Sequence, residues 1–209
     1  MKIPAIILLT SILLCVSINI GYAQKGLTIR GGLLHDSPGT EVFDKIDDGM
    51  GYIGSLGYDL IAGFGADVGV MHSTHEFRAG VRGYSVLSSN AEKTAFFMRA
   101  CYTPWKSEKI EIRAGAGPAF YTISADMEDT LGFPYEAGFS GWGYTAGADF
   151  MHFVTENLAI TLYLSANFVK FNKQTFNSST LEVPDRLPRG DSFSWGLTLF
   201  YRIGKLKFD

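Results

Sequence analysis

A short segment of the chain carries the residue types of a hydrolytic site. The run from Met71 to Glu76 contains Ser73 as a nucleophile, His75 as a base and Glu76 as an acid that could orient the base. The surrounding pattern is that of a β-strand, in which neighbouring residues point to opposite faces. His72 would then face away from Ser73. We therefore expect these residues to lie at an interface and at the base of a loop, and we predict no catalytic site.

The other residues that could bind a metal ion or a cofactor are dispersed. His72 and His75 could begin a metal site, but His35 and His152 do not continue a ligand spacing. Acidic residues lie in polar segments without a common spacing: Asp44, Asp47, Asp48, Asp126, Glu128 and Asp129. Carboxylates in such segments are usually solvated. We predict no metal site and no cofactor.

The elements that would position these residues are β-strands. From Ser192 to Ile203, apolar and polar residues alternate without a break, and a period of two indicates a strand with two different faces. The same alternation recurs along the chain. It predicts eight strands, at 27–35, 50–60, 64–74, 94–104, 109–123, 139–152, 157–170 and 192–203.

One face of every predicted strand is apolar, and the other carries charges and small residues. A soluble barrel encloses its apolar face, whereas a barrel in a bilayer turns that face outward. We therefore assign the charged face to the interior, where one ionic layer is predicted near the short turns: Arg30, Asp59, Asp67, Arg99, Glu111, Arg113, Asp149 and Arg202. Buried charges must pair, and this layer balances four cations against four anions. The outer half of the interior is predicted to be less charged, with room for a shallow pocket.

The connections between predicted strands alternate strictly between short and long. Tight turns are predicted at 62–63, 105–108 and 153–156, and long polar loops at 35–49, 75–93, 124–138 and 171–191. Short periplasmic turns and long outer loops are typical of outer-membrane barrels. The predicted fold is an all-β, eight-stranded antiparallel up-and-down transmembrane β-barrel with four long outer loops.

Aromatic residues are predicted at the membrane interfaces: Tyr58, Phe64, Tyr102, Trp105, Phe139, Trp142, Phe150, Phe168, Phe193, Trp195 and Tyr201.

The N-terminus and the composition indicate an exported protein. Lys2, the apolar run 3–20 and the small residues that follow predict a signal peptide at 1–23, which leaves 24–209 as the barrel domain. That domain has a single cysteine, Cys101, which excludes an internal disulfide and a cysteine metal site. The formal net charge of −3 argues against nucleic acid as a partner.

The chain resembles the small outer-membrane β-barrel proteins related to the OmpA transmembrane domain. The resemblance rests on the signal peptide, the alternating strands, the loop asymmetry and the aromatic last strand from Phe193 to Ile203. It implies the outer membrane of a Gram-negative envelope, a porin-like fold, and contact with membrane lipids, lipopolysaccharide and the barrel-assembly machinery. Family members usually end on an aromatic residue that this machinery recognises; Tyr201 and the penultimate Phe208 are both candidates here.

We predict a structural or surface-interaction role without an open pore, because an eight-stranded barrel is just wide enough for its own side chains. The outer loops would bind an extracellular ligand. Two alternatives remain at this stage. A lipid-modifying outer-membrane enzyme, similar to lipid A deacylases or acyltransferases, would act through Ser73, His75 and Glu76. An exported, lipocalin-like binder of hydrophobic ligands would need the apolar face inside.

Overall fold

The computed structural model describes residues 26–39, 47–60, 62–77, 89–128, 134–176, 179–182 and 189–203, and the predicted signal peptide lies outside these ranges. Their strands are β1 (Gly26–Pro38), β2 (Gly49–Asp59), β3 (Phe64–Phe77), β4 (Ser89–Lys106), β5 (Ile110–Glu128), β6 (Pro134–Phe153), β7 (Leu158–Val169), β8 (Lys173–Phe176), β9 (Ser179–Glu182) and β10 (Ser192–Ile203). In the described part of the chain, no helix has the length and hydropathy of a membrane span.

Eight of these strands close into one antiparallel barrel. Their order around it is β1, β2, β3, β4, β5, β6, β7 and β10, and β10 pairs back onto β1 from Leu27–Ile203 to Pro38–Ser192. Closure satisfies the backbone groups that an open sheet edge would expose, which is the condition for β-structure in a bilayer. The predicted eight-stranded barrel is confirmed.

Several strands continue beyond their predicted bounds on the side of the long connections. β3 reaches Phe77, β4 begins at Ser89, and the β5–β6 hairpin extends to Glu128 and Pro134. The predicted loops 75–93 and 124–138 are therefore partly strand. The predicted loop 171–191 contains the β8–β9 hairpin, of which β8 pairs with β6. Polar composition was a poor guide here, because antiparallel hairpins stay paired where their faces meet water.

The short connections lie together at the opposite end of the barrel, at 60–63, 107–109 and 154–157. In the first of them Ala62 has a φ of 55° and Gly63 a φ of 79°. These are the left-handed conformations that tight hairpin turns require, and glycine adopts them without steric cost. Gly26 and Ile203, where the barrel begins and ends, lie at this end too.

The two faces of the barrel have opposite character. Large apolar side chains are exposed on the outside: Leu33 is 67% exposed, Tyr144 69% and Leu197 62%. The charged face is inside, where Arg99 is only 1% exposed. The predicted alternation therefore holds, and the outer surface suits contact with lipid. This is the reverse of the arrangement that a lipocalin-like binder needs.

Candidate functional site in the barrel lumen

Four charged residues pair across the lower half of the lumen, near the short turns. Arg99 donates two hydrogen bonds to Asp67, from Nε at 3.1 Å and from Nη2 at 2.6 Å. Arg30 donates to Asp149 at 2.7 Å and to Asp67 at 3.3 Å. We call Arg30, Asp67, Arg99 and Asp149 the inner quartet. Its two cations and two anions balance, which is what makes their burial tolerable.

A second charged group lies closer to the turns. Arg202 donates to both carboxylate oxygens of Glu111, at 3.4 and 3.0 Å, and lies 3.2 Å from Asp59. Arg113 lies 3.2 Å from the other oxygen of Asp59. Lys106 contacts Glu111 at 2.8 Å. We call these residues the rim group. The sequence prediction missed Lys106 because it placed this residue in a turn, whereas β4 continues to Lys106 and pairs there in register with Glu111.

The residues predicted to form one ionic layer are thus divided between two adjacent groups. Both groups are covered by aromatic rings that the sequence prediction did not include. The guanidinium carbon of Arg30 lies 5.0 Å from the centre of the Tyr163 ring, and that of Arg202 lies 5.3 Å from the Phe153 ring. An aromatic face attracts a cation most strongly when both are desolvated. The rings therefore compensate part of the cost of removing these arginines from water.

Apolar side chains fill the lumen above the inner quartet. Leu34, Ile53, Met71, Phe97 and Tyr163 belong to one buried cluster, and each is at most 6% exposed. The Tyr163 hydroxyl donates a hydrogen bond to the Met71 sulfur at 3.3 Å. We call these five residues the septum. The septum fills the lumen above the quartet, and the buried hydroxyls of Thr145 and Ser165, 2.9 Å apart, continue the polar lining beside it toward Asn167.

A polar cluster lies above the septum, in the half of the lumen predicted to be less charged. Asp36 is 2% exposed and accepts hydrogen bonds from Lys93 at 2.8 Å and from Ser194 at 2.6 Å. Lys93 also donates to Ser192. We call this group, with the neighbouring Ser73, His75 and Asn167, the outer cluster. The sequence prediction of a less charged outer half missed the pair formed by Asp36 and Lys93, because both residues had been assigned to loops.

The outer cluster leaves little empty space. A cavity of about 10 Å³ lies among its side chains, bordered by Asp36, Ser73, Lys93 and Asn167. A cavity of that size holds about one water molecule. At this position the predicted shallow pocket corresponds to water-sized space among the outer-cluster side chains. Among the residues that the structure describes, no group of three or more His, Cys, Asp or Glu residues could hold a metal ion.

The residues of the hydrolytic motif divide between the two faces of β3. Ser73 and His75 are both 3% exposed in the lumen, and Ser73 Oγ lies 2.9 Å from His75 Nε2. The inward position of Ser73 follows the strand parity, and His75, two residues on, shares its face. The expectation of an interface position therefore does not hold for Ser73 and His75. His72 points outward, with its ring centre 5.1 Å from that of Tyr52. Glu76 has the same strand parity as His72, and its side chain is exposed.

The predicted interface aromatics fall into three sets. Those exposed on the outer face are Phe64, Trp105, Trp142, Phe150, Phe168, Phe193, Trp195 and Tyr201. Tyr58 and Tyr102 are half-buried. Phe139 is a correction: it packs on the inner side, with its ring centre 5.9 Å from that of Phe171. Phe139 shares its strand parity with the inward-facing Asp149, so its assignment to the outside ignored the register of β6.

Known proteins resemble this chain in fold and not in sequence. No family model matches the sequence, and no curated protein matches it. The outer membrane protein OprG from Pseudomonas aeruginosa has a similar structure, with a TM-score of 0.63 at 13% identity over 88% of this chain and 98% of OprG. A major outer membrane protein from Thermus thermophilus gives 0.60 at 12% identity, over 84% of this chain and 99% of that one. The attachment invasion locus protein Ail of Yersinia pestis, in complex with the heparin analogue sucrose octasulfate, gives 0.55 at 13% identity, over 86% and 99%.

The likeness to these proteins lies in the fold, which spans nearly the whole length of each. An exposed apolar outer surface and paired internal charges are the features expected of a barrel in the outer membrane. Both features follow from the strand alternation. The protein is an eight-stranded β-barrel with the fold of the small outer-membrane proteins.

Proposed function

We propose that the protein is a closed, non-conducting barrel of the outer membrane that presents its outer end as an interaction surface. The observation that carries this proposal is the filled lumen. The inner quartet is paired across it, the apolar septum packs above the quartet, and the outer cluster leaves a cavity of about 10 Å³ among its side chains. A barrel of this size has no lumen beyond the space that its own side chains fill.

Ion conduction would require a hydrated path through each of these layers. In the septum, Leu34, Ile53 and Met71 offer an ion no ligand to replace its water, and stripping an ion of water is very costly. In the inner quartet, the arginines and carboxylates are already paired with one another. An ion crossing this level would have to break buried ion pairs, which costs about 3–5 kcal/mol for each pair.

Recordings of ion current across a planar lipid bilayer test the closed lumen. The wild-type barrel is expected to give no steady conductance. The matched variant Met71→Ser/Phe97→Ser replaces two septum side chains with hydroxyls and is expected to conduct more than the wild type. A steady, ohmic wild-type conductance would contradict the proposal.

One of the outer segments is acidic, and its charge indicates the kind of surface partner. The segment 124–138 contains Asp126, Glu128, Asp129 and Glu136 and has no Lys or Arg. Ail is in complex with the heparin analogue sucrose octasulfate, and the segment 124–138 has no Lys or Arg to bind such a polyanion directly. Its carboxylates fit an anionic partner through a bridging divalent cation, as with the phosphates of lipopolysaccharide in the same membrane.

Binding of purified lipopolysaccharide to the reconstituted barrel tests this choice of partner. Binding is expected with calcium and is expected to fall when the calcium is chelated. The variant Asp126→Asn/Asp129→Asn should bind less, while Lys170→Gln, a charge change just after β7, serves as the control. Equal binding with and without calcium would contradict the bridging role. Recognition of the last strand by the barrel-assembly machinery remains a prediction from the family resemblance.

The contact between Ser73 and His75 keeps a lipid-modifying enzyme as a second candidate, since a serine hydroxyl beside an imidazole is the arrangement of an activated nucleophile. Its position argues against that role. An acyl chain in the bilayer approaches the outer face of the barrel, whereas Ser73 is 3% exposed inside it. The adjacent cavity of about 10 Å³ has room for a water molecule and none for an ester substrate.

A further inference from the structure

The lipid-facing surface of the barrel has a patch of small side chains on one side. Halfway along β4, β5 and β6 the outward residues are alanines: Ala100, Ala114, Ala116, Ala146 and Ala148. They are contiguous, because Ala116 pairs in register with both Ala100 and Ala146. On β6 they lie between Tyr144 and Phe150, whose large side chains are 69% and 42% exposed. We call these five residues the alanine patch, which is a shallow depression in the outer surface.

Protruding leucines lie on the opposite side of the barrel. Leu33 on β1 and Leu197 on β10 pair in register and are 67% and 62% exposed, and Leu199 on β10 is 57% exposed. We call these three residues the leucine ridge. In the closed order of eight strands, β1 lies four strands from β5 in either direction, and β10 lies four strands from β4. The ridge and the patch therefore face opposite ways.

The inner quartet relates the heights of these two surfaces. Ala148 of the patch precedes Asp149 in the chain. Leu199 of the ridge pairs with Gly31, which follows Arg30. Arg30 and Asp149 bind each other across the lumen at 2.7 Å. The patch and the ridge therefore lie at the same depth in the membrane, at the level of the inner quartet.

The outer ends of these two sides carry opposite charges. Glu76 on β3 and Glu92 on β4 are exposed above the alanine patch. Lys170, just after β7, and Arg189, just before β10, are exposed on the other side and pair with each other. Since β3 lies four strands from β7, as β4 does from β10, the charges oppose each other around the barrel just as the patch and the ridge do. One side is thus small and acidic, and the opposite side is bulky and basic.

We propose that copies of this chain pack side by side in the membrane, with the leucine ridge of one barrel against the alanine patch of the next and β10 facing β4. Apolar surfaces in lipid gain nothing by leaving water, so their contact depends on close packing, which small residues allow. The charges at the outer ends select which sides meet, because two like sides would oppose like charges. All copies insert with the same end outward, so opposite surfaces relate neighbours by a translation. Such a contact does not close and repeats into rows.

The area of the contact limits its strength. An apolar band about 25 Å tall across four strands spaced about 4.8 Å apart gives a face of about 500 Å² on each barrel, below the roughly 800 Å² of a standard stable interface. We therefore expect rows that form in a crowded membrane and separate in detergent. The test must be made in the membrane.

Crosslinking between introduced cysteines in outer-membrane fragments tests the rows. Ala116→Cys places a thiol in the patch and Leu197→Cys places one in the ridge, while the native Cys101 is buried in the lumen and sets the background. With a short, apolar bis-maleimide, the double variant Ala116→Cys/Leu197→Cys is expected to give a ladder of dimers, trimers and larger species. Each single variant is expected to give only the wild-type background. A double variant that gives dimers alone or no crosslink, or a single variant that crosslinks equally well, would overturn the proposal.

Further changes in the double-cysteine chain test the two halves of the contact. Ala100→Trp fills the depression and is expected to abolish the ladder, whereas Leu56→Trp, at an exposed site on β2 a quarter-turn from both surfaces, should leave it intact. Glu92→Lys should lower the crosslinked fraction about two- to fivefold, as for the loss of an exposed ion pair. Glu92→Lys/Arg189→Glu should restore it. A ladder that survives Ala100→Trp, or a charge reversal without effect or without rescue, would overturn the proposal.

Discussion

Replacing Arg99 with methionine should destabilise the barrel more than any other single change in the rim group or the inner quartet. Arg99 is 1% exposed and donates two hydrogen bonds to Asp67. Its guanidinium carbon lies 5.1 Å from the Phe97 ring and 5.5 Å from the Tyr163 ring. Methionine preserves much of the apolar stem and fills irregular space well. The change therefore removes the charge and its hydrogen bonds while disturbing the packing little.

The loss of unfolding free energy depends on the contacts that Asp67 keeps in the variant. Removing one partner of a buried ion pair costs about 3–5 kcal/mol, because the other charge is left uncompensated. Asp67 keeps the contact with Arg30 at 3.3 Å, which places the expected loss near the lower end, at about 3 kcal/mol.

Arg113→Met is the matched comparison. Arg113 pairs with Asp59, whose side chain is 18% exposed and which also contacts Arg202. One guanidinium nitrogen of Arg113 has no hydrogen-bond partner among the described residues. Its loss should therefore cost about 1 kcal/mol, as for a partly solvated pair.

Equilibrium unfolding in urea, followed by tryptophan fluorescence in lipid vesicles, measures both losses. The double variant Asp67→Asn/Arg99→Met should recover part of the stability that Arg99→Met loses, because it also removes the orphaned charge. The reasoning is refuted if Arg99→Met is as stable as the wild type, or if Arg113→Met costs more than Arg99→Met.

The remaining predictions concern the outer face, the backbone and the hydrolytic motif. Leu197 is 62% exposed on the outer face, and Leu197→Arg should lower the free energy of unfolding in vesicles by about 2–4 kcal/mol. Leu197→Ala should lower it much less, and equal losses would contradict a lipid-facing position. Gly117→Val should cost about 1–3 kcal/mol in the same assay, because its Cβ would overlap the Met98 carbonyl oxygen; an unchanged midpoint would contradict that close approach. Ser73→Ala should leave the lipid A acylation profile unchanged by mass spectrometry, and a changed profile would support the enzyme.

Strand parity could be predicted from the sequence because it is a local property. The inward position of Arg202 and the outward position of Trp195 both follow from a period of two. The same reasoning missed Asp36 and Lys93, where the alternation continues beyond the apolar part of a strand, whereas the outward assignment of Phe139 departed from the parity of its own strand. Whether such a segment stays extended depends on the strand that it pairs with, and its own composition does not specify that strand.

The pairing of the internal charges could not be predicted from the sequence. Arg30 and Asp149 are 119 residues apart, and their 2.7 Å contact depends on how β1 and β6 are staggered around the closed barrel. Alternation places both residues inside without specifying their height along the barrel axis. The division into the inner quartet and the rim group, and the septum above them, arise from this stagger.

The most direct test of a membrane-embedded closed barrel combines cell fractionation with electrophoretic mobility before and after boiling. A closed membrane barrel resists unfolding in detergent at room temperature, because its strands have no free edge from which to unzip. The account predicts a protein in the outer-membrane fraction whose unboiled form migrates differently from the boiled form. A soluble periplasmic protein with the same mobility before and after boiling would contradict it.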